Sequence, residues 1–596
     1  MQAGLPPCAQ RDSIQQRMSK IKNLKKSLAD EERQLRSSWN FTLPINHLPR
    51  ELLVDIFAKV IQSWTDAGVD RGTPGRRSGL MRVCRDWHDL ILSEATLWSR
   101  LYVPPSVPLS VLSLHLSRSK NAGLDVYLDM KYNKTFMYAG KDIARLLALQ
   151  YRRIGALTIP SIDTLPPPAF EALFCGVSWP ILTRLSINFL LATRERLSLS
   201  EIEPVLNLTS HRFPELRTLV LSGGVVPSID PQLLRQLRSL TLHSPRLAEW
   251  PSSQKFLTDL SEATQLEELS ICRRTSDHEL LITQSENLAT HAFLASALPR
   301  LRSLTINTDR PQDYGSLVMH TLNSSGLMTV QLFLTGWTRH PPAPGQQKRR
   351  SFVNALFPSH ETSTTPLLSP TLRSAQVRIH ETQLELRGYR YDSLEDEVLY
   401  LVVHGASARR RGIYPIADAL EDVALLLRGL PLVEFRLVCT PYDRTAVQSW
   451  RAVLSALPDL EVLDVQGSAD VQAILSALRP SDSSTAEASM AASSGDGAQK
   501  VVLGTRLEFL FVGIDGVNKW GVDSAASARR LLEETVDCIR LREEQGAAPL
   551  SMLMLECQCQ IADDDEEEEL EEAVSQCRGR LFELIKFLDL SIVFRS

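Results

Sequence analysis

Two residues near the start of the chain have the types and the spacing that nucleophilic catalysis requires. Cys84 and His88 lie one helical turn apart, so a helix would place a thiol and a possible general base on the same side. Cys84 also falls on an apolar stripe that runs through Val83, Trp87 and Leu90. A cysteine on such a stripe is typical of a packed core, and we therefore interpret Cys84 as a packing residue.

The sequence contains none of the short metal-binding or phosphate-binding motifs of common enzymes. His360 and His380 are each followed by glutamate, as in zinc proteases, but neither has a second histidine four residues on. Cys557, Cys559 and Cys577 could supply three thiolates, whereas a structural zinc site needs four ligands. We predict no metal, no cofactor and no catalytic residue, and hence a chain that is not an enzyme.

Cys84 and His88 belong to an interrupted helical segment, Leu48–Val103. Its first half, Leu48–Trp64, has a proline where a helix would begin and then repeats apolar residues with helical spacing. Its second half, Leu80–Val103, shows the same spacing and ends in a short apolar turn around Trp98. Three helices in about fifty residues bury too little surface for an independent core. Part of the apolar stripe is therefore predicted to contact another protein.

These residues also carry a family resemblance. The motif LPxELLxxIF at Leu48–Phe57, followed by VCRxW at Val83–Trp87 and then by Leu97 and Trp98, resembles the F-box. The F-box is a helical module by which substrate receptors dock onto a Skp-type adaptor of a cullin-RING ubiquitin ligase. The longer spacer at Thr65–Gly79 is predicted to be a surface loop. The resemblance implies an adaptor-binding set made of Leu48, Pro49, Leu52, Leu53, Ile56, Phe57, Val83, Cys84, Trp87 and Trp98.

A phrase of the form L-x-x-L-x-L, with other aliphatic residues allowed, recurs eleven times after this segment. Four early intervals of 34, 21, 29 and 35 residues straddle the leucine-rich-repeat range of about 20 to 29. Each phrase ends like a short strand, with Leu219 and Leu221 predicted to point inward and Thr218 and Val220 outward. The phrases begin at Ile154, Leu182, Leu216, Leu237, Leu266, Leu301, Leu327, Leu432, Leu460, Leu507 and Leu550.

Several phrases follow a helical stripe, such as Trp450–Pro458 before Leu460. Helix, turn and strand in rotation predict right-handed crossovers and a parallel sheet with helices outside. The pattern resembles the irregular leucine-rich-repeat domain of many F-box proteins, although the consensus asparagine is mostly missing. We predict an α/β protein overall, with an N-terminal helix, a small all-α three-helix F-box module and an irregular α/β solenoid with parallel strands. The alternative is an ordinary α/β domain in which the phrase recurs by chance.

The predicted domains follow from these patterns. Residues 1–40 form a polar helix in which Ile14, Ile21, Leu28 and Leu35 lie seven apart. The companion positions are mostly charged, so a short coiled coil and a solvated helix stay open as alternatives. Residues 41–103 form the F-box module and residues 104–596 the repeat domain. Within the latter we predict disordered insertions near 336–371 and 480–499 and a solvated acidic segment at 563–572.

Outward positions in two late strands predict a second binding site. Phe509 and Phe511 lie in one strand, and Met552 and Met554 lie in the other. If the strands are neighbours, the four side chains form an apolar patch of the kind that often binds a partner. The alternative is that a terminal helix, predicted from apolar residues between 581 and 588, covers the patch and caps the repeats.

Composition limits the function further. Hydrophobic residues make up 43% and charged residues 23%, as in ordinary soluble globular proteins. The 65 basic and 70 acidic residues give a net charge of −5, which argues against a general binder of nucleic acid or membrane surfaces. Nine cysteines without regular spacing indicate a reducing compartment, the cytoplasm and/or the nucleus. We find no apolar run near the roughly 20 residues of a membrane helix.

Together these features predict a substrate-recognition subunit of an SCF-type cullin-RING ubiquitin ligase. Its F-box would dock a Skp-type adaptor and, through the adaptor, the cullin. Its repeats would bind an unknown protein target. Such a subunit needs no catalytic side chain, because it raises the concentration of the target near the ubiquitin donor. The alternative is a leucine-rich-repeat interaction scaffold outside any ligase, with the F-box-like helices as part of its own core.

Overall fold

A computed structural model describes most of the 596 residues of the chain. The described ranges are 7–66, 75–104, 107–129, 137–160, 167–189, 205–224, 229–245, 259–272, 298–308, 329–334, 351–356, 372–380, 383–390, 397–404, 416–439, 447–467, 471–479, 503–513, 525–560, 564–582 and 584–595. Within these ranges, no helix is both long enough and apolar enough to cross a membrane.

Helices and strands alternate along most of the chain. Two 3-10 helices, Pro44–His47 and Ala95–Trp98, lie in the N-terminal part. The α-helices are α1 Pro7–Phe41, α2 Arg50–Asp66, α3 Gly75–Met81, α4 Arg85–Ser93, α5 Leu109–Arg118, α6 Met137–Ala148, α7 Pro167–Phe174, α8 Pro231–Gln236, α9 Phe352–Leu356, α10 Ile416–Leu427, α11 Val447–Ala456, α12 Val471–Leu478, α13 Ala525–Glu544 and α14 Asp564–Phe582.

The strands are short, and most begin within a few residues of a leucine-rich phrase. They are β1 Arg100–Val103, β2 Leu124–Leu128, β3 Ile154–Ile159, β4 Arg184–Asn188, β5 Thr218–Gly224, β6 Ser239–Pro245, β7 Glu268–Cys272, β8 Ser303–Thr308, β9 Thr329–Leu334, β10 Ser374–His380, β11 Gln383–Tyr389, β12 Glu397–His404, β13 Glu434–Cys439, β14 Val462–Gly467, β15 Phe509–Gly513, β16 Met552–Gln560 and β17 Phe587–Arg595.

The chain folds into two compact units. The first comprises Met1–Leu216 with Pro227–Ile229, and the second comprises Arg217–Val226 with Asp230–Ser596. The first unit holds the N-terminal helices and the strands β1 to β4, which pair in chain order and run parallel. The predicted F-box range is therefore not all helical, because its last four residues, Arg100–Val103, form a strand of this sheet. Leu101 and Val103 are buried at alternate positions, the pattern of a strand with one face in a core.

The second unit contains a parallel-rich sheet that is not closed within the described residues. Strands β5 to β9 pair in chain order and run parallel, and so do β13 to β17. Between these runs, β9 pairs with β12 and β10 pairs with β13, both parallel. Strand β11 is antiparallel to both β10 and β12. The loss of the leucine-rich phrase between Leu332 and Leu432 thus coincides with an antiparallel insertion in the sheet.

The leucine-rich phrases predict the strands of the sheet correctly. In ten of the eleven phrases the strand begins at the third residue, as at Thr218 and Phe509, and in the other it begins at Ile154 itself. The predicted alternation is confirmed, since Leu219 and Leu221 are buried while Thr218 and Val220 are half-buried. The mixed α/β class and the parallel-rich sheet are confirmed as well, whereas the solenoid stays a prediction.

The predicted terminal helix is wrong. Helix α14 ends at Phe582, and residues Phe587–Arg595 form strand β17, parallel to β16. Within this segment Leu590 is buried, whereas Phe587 and Asp589 are exposed. The side chains therefore alternate with a period of two, which fits a strand and excludes a helix.

Two other predicted segments contain regular structure. Inside the predicted insertion at 336–371, helix α9 has a buried Phe352 whose N–H donates to the fully buried Asp422 at 2.8 Å. Residues 336–350 and 357–371 of that insertion, and all of 480–499, lie outside the described residues. Of the acidic segment, residues 564–572 begin α14, where Glu568 is exposed but Leu570 is buried.

Candidate functional site

The F-box-like segment is built around a compact apolar core. Its buried residues are Leu53, Phe57, Ile61, Leu90, Ile91, Leu97 and Trp98. These side chains come from α2, from α4 and from the 3-10 helix Ala95–Trp98. Arg50 donates to Ser93 Oγ at 2.6 Å and so joins the start of α2 to the end of α4. The apolar stripe of α2 thus contains the core face, although Leu52 and Ile56 of the same stripe are exposed.

The second half of the segment differs from its prediction. The predicted loop Thr65–Gly79 is helical from Gly75, where α3 begins, and residues 67–74 lie outside the described residues. Val83 and Cys84 separate α3 from α4 instead of continuing one apolar stripe. Cys84 has an extended backbone, with φ −154° and ψ 172°, directly before α4. The apolar residues on the two sides of this break have helical spacing, although they do not belong to one helix.

The ten residues predicted to bind an adaptor fall into three groups. Leu53, Phe57 and Trp98 are buried, with exposures of 8%, 1% and 3%, so they build the core and present no surface to a partner. Three others are half-buried, namely Leu48, Cys84 and Trp87. The remaining four are exposed, namely Pro49, Leu52, Ile56 and Val83. The first group is therefore a correction, because one helical stripe contains both inward and outward apolar residues.

Exposed apolar side chains concentrate at this end of the molecule. Leu52 and Ile56, with exposures of 50% and 36%, lie one turn apart on α2 and share a face. Val83 is 52% exposed, and the 3-10 helix adds Ile45 at 37%. Of the twenty exposed large apolar side chains in the described residues, thirteen lie between Ile14 and Val83. Such a concentration is typical of a surface that binds another protein.

A chain of polar contacts fixes the helix that precedes this module. The indole N–H of Trp87 donates to Asn46 Oδ1 at 2.7 Å, and Asn46 Nδ2 donates to the carbonyl oxygen of Asn40 at 2.5 Å. The ring of Trp87 also packs on Phe57, with 4.6 Å between centroids. The end of α1 is thereby tied to the F-box-like core. Sequence reasoning missed the two asparagines, since a lone asparagine before a helix carries no distinctive spacing.

Trp98 anchors the segment to helix α5. Its indole N–H donates to the carbonyl oxygen of Ile91 at 2.6 Å, and its ring meets that of His115 edge-on at 5.2 Å. The guanidinium groups of Arg118 and Arg77 lie 4.7 and 5.4 Å from the ring centroid. Burial, aided by these two cations, lowers the pKa of His115 to about 4. The F-box-like segment and helix α5 are thus joined by a packed aromatic contact.

The candidate catalytic pair lies at the start of α4, and the side chains of Cys557 and Cys559, two of the three candidate zinc ligands, lie outside the described part of the chain. The N–H of His88 donates to the backbone carbonyl of Cys84 at 3.1 Å, and His88 Nδ1 lies 3.1 Å from Asp89 Oδ1. The Cys84–His88 spacing therefore reflects the first turn of α4. No cluster of three or more possible metal ligands occurs in the described part of the chain, where Cys577 is buried.

The four residues of the predicted target site are brought together by the sheet. Strands β15 and β16 pair in register, with Phe509 opposite Met552 and Phe511 opposite Met554. All four side chains are half-buried, while the alternating residues Leu510 and Leu553 are fully buried on the other face. The condition for an apolar patch, that the strands be neighbours, is met. Its role in binding stays a prediction.

Strand β17 extends this face in place of the predicted covering helix. Met552 pairs with Phe587 and Met554 pairs with Asp589 in the parallel register of β16 and β17. Phe587 is 66% exposed, so it widens the apolar surface. The prediction assigned Phe587 to a helix, although the alternation of FLDLSI around it indicates a strand.

The turn before β15 is held by a buried arginine. Arg542 of α13 is 2% exposed and donates to the carbonyl oxygens of Leu503 and Gly504, both at 2.8 Å. Burial lowers the pKa of this guanidinium. Gly504 has a φ of +61°, a conformation that glycine adopts without strain. Arg542 therefore positions the start of the strand that carries Phe509 and Phe511.

Comparison with known proteins supports the N-terminal part of this description. A family model for F-box-like domains matches residues 45–104. No curated protein matches the chain. The chain therefore contains an F-box-like domain, which suggests an F-box protein. F-box proteins are typically non-catalytic substrate receptors of SCF ubiquitin ligases, and their F-box typically binds a Skp-type adaptor.

Proposed function

We propose that this protein is the substrate-recognition subunit of an SCF-type cullin-RING ubiquitin ligase. The F-box-like domain docks a Skp-type adaptor, which links the chain to the cullin, and the sheet of the second unit binds the target protein. The chain itself supplies no catalytic group. Its composition fits a location in the cytoplasm, the nucleus or both.

The observation that carries this proposal is the division of the F-box-like residues into a buried core and an exposed apolar face. Leu53 and Phe57 hold the module together, while Leu52, Ile56 and Val83 face solvent. Burying side chains of this size contributes about 1.5 to 3 kcal/mol each. A few of them can sustain a complex after the costs of association and ordering are subtracted.

The proposed receptor acts through proximity. The docked adaptor brings the cullin, and the target held by this chain is then exposed to the ubiquitin donor at a raised effective concentration. The aromatic contact between Trp98 and His115, with 5.2 Å between centroids, supports a firm connection between the docking module and helix α5.

Co-purification tests the adaptor half of the proposal. We expect the full-length chain to capture a Skp-type adaptor and a cullin from cells, and the Leu52→Ser plus Ile56→Ser variant to lose both. Leu53 and Trp87 are unsuitable for this purpose, since they lie in or against the core. The matched control is Leu114→Ser on α5, whose exposure of 46% is similar to the 50% of Leu52.

A scaffold without a ligase is the second candidate, and one observation favours it. The F-box-like core joins a larger unit through Trp98, so the segment could exist to complete that unit. In this case the wild-type chain would capture neither adaptor nor cullin, and the Leu52→Ser plus Ile56→Ser variant would behave like wild type.

A further inference from the structure

The target-facing surface of the last strands has a definite arrangement of apolar rows. In one register row, Phe509 is flanked by Val462 of β14 and by Met552 of β16, and Met552 in turn by Phe587 of β17. In the next row, Phe511 and Met554 are adjacent at the centre. We name the C-terminal patch by five of these residues: Phe509, Phe511, Met552, Met554 and Phe587.

Acidic residues flank the two apolar side chains of the second row, which continues beyond Asp464 to Arg436 of β13. Asp464 of β14 pairs in register with Phe511, and Asp589 of β17 pairs with Met554. Asp464 is half-buried and accepts from Gln466 Nε2 at 3.2 Å, whereas Asp589 is exposed. Burial raises the pKa of Asp464 although the Arg436 cation lies nearby. The two apolar side chains at the centre of this row therefore lie between carboxylates.

Two more carboxylates stand where the strands begin. Glu461 and Glu508 directly precede β14 and β15, and the N–H of Glu508 donates to the carbonyl oxygen of Glu461 at 2.8 Å, which makes them neighbours. Neither forms an ion pair with another described residue, and the same holds for Asp464 and Asp589.

Two arginines near the patch already form ion pairs with other carboxylates. Arg436 pairs with Glu434 at 2.5 Å, and Arg506 pairs with Asp459 at 2.8 Å. Lys586, directly before β17, is exposed. Asp464 and Asp589 lie on the face of the patch and have no ion-pair partner among the described residues, whereas Glu461, Glu508 and Lys586 stand at the strand starts beside it. The surface therefore carries excess negative charge.

We propose that the C-terminal patch binds a segment of the target protein that presents apolar side chains flanked by lysine or arginine. The inference rests on the proposed function, since it names the chemistry of the target. Methionine side chains adapt their shape to an apolar partner, and aromatic rings supply a large contact area. Cations on either side of the apolar anchors meet the bordering carboxylates, while an acidic segment would bring like charges together.

Selection from a random peptide library displayed on phage tests this inference with the full-length chain. Binders to wild type are counter-selected on the Phe511→Ser plus Met554→Ser variant, so that only patch-dependent peptides remain. We expect these peptides to combine apolar residues with an excess of lysine and arginine. For synthetic copies, we expect Asp464→Asn plus Asp589→Asn to weaken binding about tenfold and to flatten its dependence on salt, measured by fluorescence anisotropy.

The control is Glu268→Gln, which removes an exposed carboxylate at the start of β7, far along the sheet order, and should leave peptide affinity unchanged. Patch-dependent peptides rich in aspartate or glutamate, or a complete lack of patch-dependent peptides, would overturn the inference. So would unchanged affinity in the Asp464→Asn plus Asp589→Asn variant. That variant replaces only polar atoms and carries the test if the serine variant does not fold.

Binding of the Skp-type adaptor to the same proteins separates this inference from the proposed function. If the wild-type chain binds the adaptor and the peptide results fail, the target chemistry is wrong and the receptor function stands. If peptides with apolar and basic residues bind through the patch but the chain does not bind the adaptor, the proposed chemistry of the patch is supported and the ligase function is wrong.

Discussion

His115 makes the stability of the first unit depend on pH. Its pKa is about 4 in the folded chain and 6.5 ordinarily, because burial beside Trp98 and two arginines disfavours the imidazolium. Between these values the unfolded chain binds a proton that the folded chain does not. Above about pH 6.5 the titration of His115 does not change the free energy of unfolding. As the pH falls from 6.5 towards 4, it lowers the free energy of unfolding.

We expect the wild type to lose up to about 2 kcal/mol more stability between pH 7.5 and pH 5 than the His115→Gln variant does. Glutamine does not titrate, so all other acid-sensitive groups are common to both proteins. Urea unfolding at the two pH values measures the difference. Equal losses would mean that His115 titrates alike in the folded and unfolded chains.

Gly388 lies where the sheet leaves no room for a side chain. A Cβ at this position would approach Leu372 Cδ2 to 3.0 Å and Leu399 Cβ to 3.1 Å. Gly388→Ala is therefore expected to cost about 1 to 3 kcal/mol through overpacking. In Gly79→Ala, by contrast, the new methyl group meets no atom within 4 Å, and alanine favours the helix. Thermal melting of both variants checks the pair, and equal melting temperatures would contradict the close packing at Gly388.

The link between α13 and β15 sets the position of the C-terminal patch. Arg542 donates to two backbone carbonyls in the turn before β15, both at 2.8 Å. Lysine cannot keep both bonds with the same planar geometry, so Arg542→Lys is expected to cost about 1.5 to 3 kcal/mol. Amide hydrogen exchange should rise in residues 503 to 509 before it rises elsewhere in the sheet.

Arg540→Lys provides the control for this link. Arg540 lies on the same helix, but its side chain is 52% exposed and pairs with Asp537 at 3.0 Å on the surface. Surface ion pairs of this kind contribute little. We expect hydrogen exchange near β15 to match wild type in this variant. If both variants behave alike, Arg542 does not position the strand.

Helices and strands whose apolar residues repeat with a clear period could be predicted from the sequence. Elements that depend on contacts with distant parts of the chain could not. The leucine-rich phrases predict the parallel strands because inward leucines repeat at alternate positions. The apolar residues between 581 and 588 predict a helix, although Phe587 and Leu588 belong to strand β17, because a short apolar run fits either period until its neighbour β16 is known. The antiparallel strand β11 was missed, since its pairing depends on β10 and β12 and not on a local phrase.

The same limit applies to the two candidate sites. The sequence identifies the segment of the predicted adaptor-binding residues but does not separate inward from outward side chains, and Leu53, Phe57 and Trp98 of that set are buried. It also identifies the four apolar residues of β15 and β16 but not Phe587 or the bordering aspartates. Strand order determines these neighbours, and strand order is a property of the whole sheet.

Under the proposed function, the first unit of the molecule carries the face that docks the adaptor, and the second unit carries the surface that binds the target. The docking face is the more closely defined of the two. The F-box-like match at residues 45–104 and the exposure of Leu52, Ile56 and Val83 coincide there. The central claim is that this exposed face, and not the buried core, binds the adaptor.

Titration calorimetry of purified Skp-type adaptor against the full-length chain tests that claim most directly. We expect tight binding by wild type and by Leu114→Ser, and a loss of about one hundredfold or more in affinity for Leu52→Ser plus Ile56→Ser. The melting temperature of the double variant should stay near that of wild type, because both side chains are exposed. Unchanged adaptor affinity in a folded double variant would contradict the account.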